Sequence, residues 1–129
     1  MKFYIASRFH NKEKIREIYK TLIAKGHQIS ADWTLHKRIV PYNENLEIAS
    51  QYTQEDINGA KDCDVFILIS DEAGTGMHTE LGVAISSHIL SDSPKIYVIG
   101  EFISNSMFYF HPSVKRMNNI QEVFDDLGI

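Results

Sequence analysis

The sequence predicts an α/β fold, a three-layer, doubly wound (flavodoxin/Rossmann-like) parallel sheet of about five strands. Short apolar runs alternate with longer segments in which apolar residues follow helical spacing. The run from Val65 to Ser70 is apolar except for its last residue, as expected of a central strand covered on both faces. With 129 residues and 43% hydrophobic content, the chain is predicted to form one domain, residues 1–129, around a single core.

The amino-terminal half of the chain is predicted to contain two strands and two helices. Asn11 can cap the first helix and Gly26 ends it. The predicted order is a strand at Lys2 to Ala6, a helix between Asn11 and Gly26, a strand at Gln28 to Ala31, a long loop over residues 35–45 and a helix at about Leu46 to Ala60. Because long loops in compact domains are often functional, the loop is a candidate functional segment.

The carboxyl-terminal half continues the alternation of strands and helices. The predicted order is a strand at Val65 to Ser70, a helix at about Gly76 to Leu90, a strand at Lys95 to Ile99, a short strand at Val114 to Met117 and a helix from Asn119, its cap, through Leu127. Such a sheet binds ligands outside the carboxyl ends of its strands, near a topological switch point. The segments that follow the strands are therefore the candidate site.

Polar and aromatic side chains follow the first two predicted strands. The hydroxyl of Ser7 and the guanidinium of Arg8 can hold a phosphate, and the ring of Phe9 can pack against a sugar or base. The alternative is an exposed Arg8 and a Phe9 that returns to the core. Asp32 and Trp33 follow the second strand and are also candidates for ligand contact.

The segment after the third strand contains a candidate nucleophile. Gly74 and Gly76 allow a tight turn and a close approach of the backbone to a ligand, beside Met77 and His78. Glu80 is predicted in the first turn of the next helix, where free amides and the dipole favour its ionised form. The alternative is a structural role, because acidic residues are common in first helical turns for the same electrostatic reason.

Asp56 is a second candidate carboxylate, predicted late in a helix. The helix dipole does not favour negative charge there, so the residue needs another explanation. Contact with a ligand is one explanation. A solvent-facing side chain at a fraying helix end is the other, and the sequence does not decide between them.

The spacing of histidines, cysteines and glycines argues against a metal or a bound cofactor. No histidine pair has zinc-binding helical spacing, and Cys63, expected as a reduced core thiol, is the only cysteine. The Gly74-x-Gly76 turn lacks the third glycine of the dinucleotide fingerprint and follows the third strand instead of the first. No metal and no cofactor are expected.

The charge and hydropathy of the chain limit its partners. The net charge is −4 at pH 7 without a basic block, so a nucleic acid polymer has little electrostatic support. No run approaches the ~20 apolar residues that cross a bilayer, and the amino terminus begins at once with a strand pattern instead of a signal peptide. A cytoplasmic protein with a small-molecule ligand and no membrane partner is expected.

Three motifs, in this order, resemble the nucleoside 2-deoxyribosyltransferase family, which includes the 2′-deoxynucleoside 5′-phosphate N-hydrolases. Phe3 to Phe9 is similar to the first strand and ligand loop of the family, Glu55 to Ala60 to its helical Asp motif, and Gly76 to Ala84 to its Glu-Leu-Gly helix start. The resemblance implies that Glu80 is the nucleophile that attacks the anomeric carbon. It implies that Asp56 contacts the sugar or aids proton transfer.

The resemblance also implies a reaction. It is the cleavage or transfer of the N-glycosidic bond of a nucleoside or nucleoside monophosphate through a covalent glycosyl-Glu intermediate, with hydrolysis slightly ahead of base exchange. At the position of Gly74, transferases of the family usually carry an acidic residue, and the phosphate-using hydrolases often carry Ser. Because Gly74 cannot donate a proton, His78 is a candidate to replace that missing proton donor. The alternative function is a non-catalytic nucleotide or ribosyl-signal binding protein of the same fold.

The resemblance further implies a homodimer or a larger symmetric assembly. Family members commonly complete the site with a neighbouring subunit, so Asn105 and His111 are expected to contact substrate across an interface. The aromatic segment from Met107 to Phe110 is more apolar than a free surface loop should be. Packing of these aromatics against their own core is the alternative.

Overall fold

A computed structural model describes all 129 residues as five strands and four helices. The strands are β1 (Lys2–Ala6), β2 (Gln28–Ile29), β3 (Val65–Ile69), β4 (Lys95–Ile99) and β5 (Val114–Met117). The helices are α1 (Lys12–Ala24), α2 (Leu46–Asp62), α3 (Gly76–Ser91) and α4 (Ile120–Leu127). Short 3-10 segments cover residues 9–11, 33–35, 42–44 and 107–110.

The strands form one parallel sheet in the order β2-β1-β3-β4-β5. Phe3 of β1 pairs with Val65 of β3, and Val65 pairs in turn with Lys95 of β4. This is the strand order of flavodoxin-like sheets, in which the direction of winding reverses between β1 and β3. The predicted α/β fold with a five-stranded parallel sheet is confirmed, and the reversal leaves a crevice at the carboxyl ends of these two strands.

The two central strands supply most of the core. Residues Phe3 to Ala6 and Val65 to Leu68 have no solvent exposure, because helices cover the sheet where these strands lie. The strand boundaries at β4 and β5 match the prediction. Strand β2 is shorter than predicted and ends at Ile29, after which the Ser30 hydroxyl donates to the carbonyl of Gly59 (2.8 Å) and ties the chain to α2.

Helix α2 packs unusually close to the sheet at Gly59. A Cβ atom at this position would lie 2.6 Å from Cβ of Ala31 and 2.8 Å from Cδ2 of Tyr4, so no larger residue fits without displacing its neighbours. Asp56 lies on α2 one turn before Gly59 and is close enough to Tyr4 to perturb its hydroxyl electrostatically. The small residue thus brings a carboxylate of α2 to the end of β1.

Cys63 follows α2 and is buried with a free thiol. Burial raises the pKa of this thiol to about 12, which disfavours the reactive thiolate. Cys63 therefore behaves as a small core residue, as the sequence predicts. None of the helices combines the length and the apolar character needed to cross a membrane.

Candidate active site

A cavity of about 1070 Å³ opens at the carboxyl ends of β1 and β3, where the strand order reverses. Its walls come from the segment after β1, the loop after β2, one side of α2 and the start of α3. Nine predicted site residues line it, namely Ser7, Arg8, Phe9, Trp33, Asp56, Gly74, Gly76, Met77 and Glu80. Four do not line it, namely Asp32, His78, Asn105 and His111.

Glu80 and Asp56 lie together in this cavity and share a poorly solvated environment. Burial, with the charge of Asp56, raises the pKa of Glu80 to about 8, whereas the nearby Tyr4 hydroxyl acts in the opposite direction. Burial also raises the pKa of Asp56 to about 6, against the effect of His36 and with that of Glu55. Burial therefore disfavours the charged forms of both carboxyl groups.

The position of Glu80 on α3 corrects one expectation from the sequence. The helix begins at Gly76, so Glu80 is its fifth residue and lies in the second turn, and the first turn has no acidic residue. The helix terminus therefore has less influence on the carboxylate than predicted, since its field falls off within the first turn. Burial dominates and raises the pKa of Glu80, opposite to the effect expected from the helix dipole.

Two polar atoms beside Glu80 lack hydrogen-bond partners. They are the hydroxyl oxygen of Tyr4 and Oδ1 of Asp56, both buried. Buried polar groups are nearly always paired in folded proteins, and exceptions need an explanation. A ligand with hydroxyl or amide groups in the cavity would satisfy Oδ1 of Asp56, whereas the Tyr4 hydroxyl does not line the cavity and lies near the Glu80 carboxyl group. Sequence reasoning placed Tyr4 only in a strand, although a tyrosine within a buried strand signals that its hydroxyl needs a partner.

His36 lines the cavity, although the sequence offers no reason to select it as a site residue. Its ring stacks on Tyr52 of α2, with centroids 3.7 Å apart and an interplanar angle of 4°. Nε2 of His36 lies 3.0 Å from Glu55, and Nδ1 lies 3.9 Å from Oδ2 of Asp56. The only sequence signal was a histidine at the start of the long loop, which by itself does not indicate a contact with α2.

Arg8 lines the cavity, and its guanidinium is held by Asp71 after β3. Nη1 of Arg8 donates to Asp71 (3.2 Å), and Nε2 of His10 lies 3.1 Å from the other oxygen. Although desolvation acts to raise it, the hydrogen bonds from Arg8 and the Glu72 amide hold the pKa of Asp71 below its usual value. Ser7 accepts from Asn11 (2.9 Å), so the segment after β1 is fixed before any ligand binds.

The turn before α3 requires a glycine at position 74. Gly74 has a φ of +130°, and a Cβ there would lie 2.7 Å from Cε of Met77 and 3.3 Å from Cγ of Arg8. Met77 is buried beneath the turn. A Cβ at Gly76, in contrast, would meet only open space, so the role of this glycine is limited to the start of the helix.

His78 braces this turn from outside the cavity. Its Nδ1 lies 3.0 Å from the carbonyl of Gly74, and its Nε2 lies 2.8 Å from the hydroxyl of Tyr109. A carbonyl only accepts hydrogen bonds, so Nδ1 carries a proton and, in the neutral ring, Nε2 accepts from Tyr109. His78 thus joins the turn to the 3-10 segment at 107–110.

The remaining predicted residues also have partners outside the cavity. Asp32 caps the 3-10 segment at 33–35 by accepting from the Thr34 amide (3.0 Å). Trp33 lines the cavity while its Nε1 donates to the carbonyl of Ile5 (2.6 Å). Asn105 is exposed, and Nδ1 of His111 contacts the Ser113 hydroxyl at 2.8 Å. No cluster of three or more His, Cys, Asp or Glu side chains could hold a metal ion.

Comparison with known proteins gives a fold neighbour. No protein-family model matches the chain, and no curated protein sequence matches it. Among solved structures, the CMP N-glycosidase BcmB of Clostridium botulinum is similar over 99% of this chain and 98% of its own, with a TM-score of 0.62 and 19% sequence identity. At this identity the similarity establishes a shared fold.

Proposed function

We propose that this protein is an enzyme that cleaves the N-glycosidic bond of a nucleoside or nucleoside 5′-monophosphate through a covalent intermediate on Glu80. The observation that carries the proposal is the carboxylate pair of Glu80 and Asp56, placed in the cavity with one buried oxygen of Asp56 that has no partner. Retaining glycosyl transfer needs such a carboxylate at the anomeric carbon. The shared fold with a CMP N-glycosidase supports a nucleotide as the substrate class.

The proposed reaction has two steps. A carboxylate oxygen of Glu80 bonds to the anomeric carbon as the bond from that carbon to the base nitrogen breaks, and the base leaves with the bonding electrons and takes up a proton. Water then attacks the same carbon, the ester bond breaks, and the Glu80 carboxylate is regenerated as the water loses a proton. Asp56 accepts from a sugar hydroxyl through the oxygen that has no partner within the chain.

The segment after β1 suits a 5′-phosphate. Ser7 and Arg8 line the cavity next to the turn at Gly74, and the donors of Arg8 that do not contact Asp71 are free to meet an anion. Phe9 and Trp33 line the same side, with ring centroids 6.3 Å apart, and offer apolar faces to a sugar or base. We place hydrolysis ahead of base exchange.

A substrate panel tests the reaction. The purified protein is incubated with the common nucleosides and their 5′-monophosphates in ribose and 2′-deoxyribose forms, and free base is measured by chromatography. We expect base release from at least one monophosphate, faster than from its nucleoside. Addition of a second base separates transfer, which yields a new nucleoside, from hydrolysis, which yields the free sugar.

The alternative is a nucleotide-binding protein without turnover. The same panel, measured by calorimetry with Glu80→Gln protein, separates the two functions. A binding protein retains its ligand and releases no base before or after the substitution. An enzyme releases base only with Glu80 intact, because an amide cannot form the glycosyl ester.

We also propose that the protein assembles as a homodimer or larger symmetric oligomer. In the segment Met107–Phe110, Tyr109 is buried but the other three side chains are exposed, by 78% for Met107, 61% for Phe108 and 55% for Phe110. A partner subunit would cover this apolar surface. Light scattering at micromolar concentration is expected to give at least twice the mass of the chain, and a monomer mass would reject the proposal.

A further inference from the structure

The loop that follows β2 brings two cations to the cavity wall. Lys37 and Arg38 line the cavity, are exposed, and form no ion pair and no side-chain hydrogen bond. The other two basic side chains of the wall have neighbours. Arg8 contacts Asp71, and Nζ of Lys12 lies 4.9 Å from the centre of the Phe9 ring. Lys37 and Arg38 are therefore available to bind an anionic group of a ligand.

The backbone that carries these cations is fixed. The amide of Lys37 donates to the Tyr52 hydroxyl (3.1 Å), and the His36 ring stacks on the same tyrosine. At the far end of the loop, Nδ2 of Asn45 donates to the carbonyls of Ile39 (3.0 Å) and Pro41 (2.8 Å). These bonds hold the loop against α2, so binding an anion does not require the loop to be ordered first.

The cavity wall carries more Lys and Arg side chains than carboxylates, whereas the whole chain has a negative net charge. The chain has a net charge of −4, yet the cavity wall carries four Lys or Arg side chains (Arg8, Lys12, Lys37 and Arg38) and only two carboxylates (Asp56 and Glu80). A 5′-phosphate next to the strand ends would contact Arg8 and Lys12, the two cations that follow β1. The two cations after β2 come from a different element and remain without an anionic partner.

The two unpaired cations lie on the loop after β2, apart from the segment after β1 that suits a 5′-phosphate. We propose that the cavity also binds a nucleotide with at least one phosphoryl group beyond the 5′-monophosphate, more tightly than the monophosphate itself, and that Lys37 and Arg38 bind the additional group. This inference deepens the proposed function and rests on it for the identity of the ligand as a nucleotide.

Calorimetry with Glu80→Gln protein, which should not consume its ligand, tests the additional anion site. Nucleoside 5′-monophosphates and 5′-diphosphates of the common bases are compared at low salt, together with inorganic phosphate and pyrophosphate as probes that need no base. We expect the diphosphate of the preferred base to bind about 10-fold more tightly than its monophosphate, as one additional charged contact would give. The advantage should shrink as salt is added.

A pair of double variants identifies the residues. Lys37→Ala with Arg38→Ala, in the same Glu80→Gln protein, should bring the ratio of diphosphate to monophosphate affinity close to one. Lys14→Ala with Lys25→Ala is the matched control, because it removes the same charge from exposed positions outside the cavity and should keep the ratio. An equal loss in both double variants would overturn the assignment, as would a ratio near one for every base and for pyrophosphate against phosphate.

Failure of this inference and failure of the proposed function give different results. Base release from monophosphates by the unmodified protein, without a preference for diphosphates, would reject the additional site and keep the reaction. A preference for diphosphates that depends on Lys37 and Arg38, without base release from any nucleotide, would reject the reaction and keep the site.

Discussion

Two carboxylate sites at the carboxyl edge of the sheet differ in how their oxygens are satisfied. Asp71 accepts hydrogen bonds from Arg8 (3.2 Å) and from the Glu72 amide (2.7 Å), and its pKa is lowered. Glu80 and Asp56 line the cavity, where burial raises both pKa values and one oxygen of Asp56 has no partner. The same edge therefore holds one satisfied carboxylate and one pair with an unsatisfied oxygen.

This difference indicates a structural role for Asp71 and a chemical role for Glu80 and Asp56. Asp71 orders Arg8 and the segment after β1, and its interactions are complete within the chain. The Glu80 and Asp56 pair is costly to ionise without a ligand, since burial disfavours the charged forms. Carboxyl groups with shifted pKa values in a cleft are frequent at functional sites, because interactions with a bound substrate can offset the free energy needed to ionise them. The comparison predicts opposite responses of the two sites to substitution and to pH.

The largest expected effect is on turnover. Glu80→Gln should fold and lose base release by at least ~100-fold, because the amide cannot form the covalent intermediate. Glu72→Gln is the matched control, since Glu72 is exposed and its side chain has no partner. Initial rates measured by chromatography decide the outcome, and full activity of Glu80→Gln protein would refute the assignment of the nucleophile.

A smaller effect is expected in the pH profile. Because Glu80 must be ionised to attack and its pKa is about 8, kcat/KM should rise from pH 6 to pH 8, by up to about 10-fold per pH unit below the pKa. Asp56→Asn removes the negative charge that raises the pKa of Glu80, so the midpoint of the rise should move to lower pH even where the rate is reduced. A midpoint that stays in place or moves upward would contradict the coupling of the two carboxyl groups.

The sequence predicted the parts of this site that depend on topology. Ser7, Arg8 and the turn at Gly74 follow strands of a parallel sheet, and the carboxyl ends of such strands meet at one edge. The apolar runs and their lengths were sufficient to predict the strands, and therefore to predict that these segments meet at that edge. Glu80 and Asp56 were candidates from their positions in the sequence, the resemblance supplied their roles, and the structure brings both into one cavity.

The remaining features depend on packing between distant segments. Nothing near His36 in sequence indicates that its ring stacks on Tyr52, which lies in another element. The raised pKa of Glu80 likewise depends on burial, which the helix position alone does not give, and the prediction that Glu80 lies in the first helical turn was wrong. His78 was a candidate for the cavity, but its two ring nitrogens contact Gly74 and Tyr109 instead.

The smallest expected effect is on stability, and its sign differs between the two sites. Folding lowers the pKa of Asp71 from 3.8, so its charge stabilises the protein above that pH and the contribution is lost as the pH falls. Folding raises the pKa of Glu80 from 4.5 to about 8, so its contribution is complete below pH 4.5 and is lost as the pH rises through 8.

Urea unfolding of two variants at several pH values checks these opposite signs. Asp71→Asn should lower the free energy of unfolding at pH 7 by at most about 1 kcal/mol, the range of exposed ion pairs, and the difference from the unmodified protein should shrink as the pH falls below 3.8. Glu80→Gln should raise the free energy of unfolding at pH 9 by on the order of 1 kcal/mol, because it removes a buried charge, with little change at pH 4. Stabilisation by Glu80→Gln that is the same at pH 4 and pH 9 would show that the carboxyl group does not titrate between these values in the folded protein. In that case the contrast between Asp71 and Glu80 would rest on packing instead of charge.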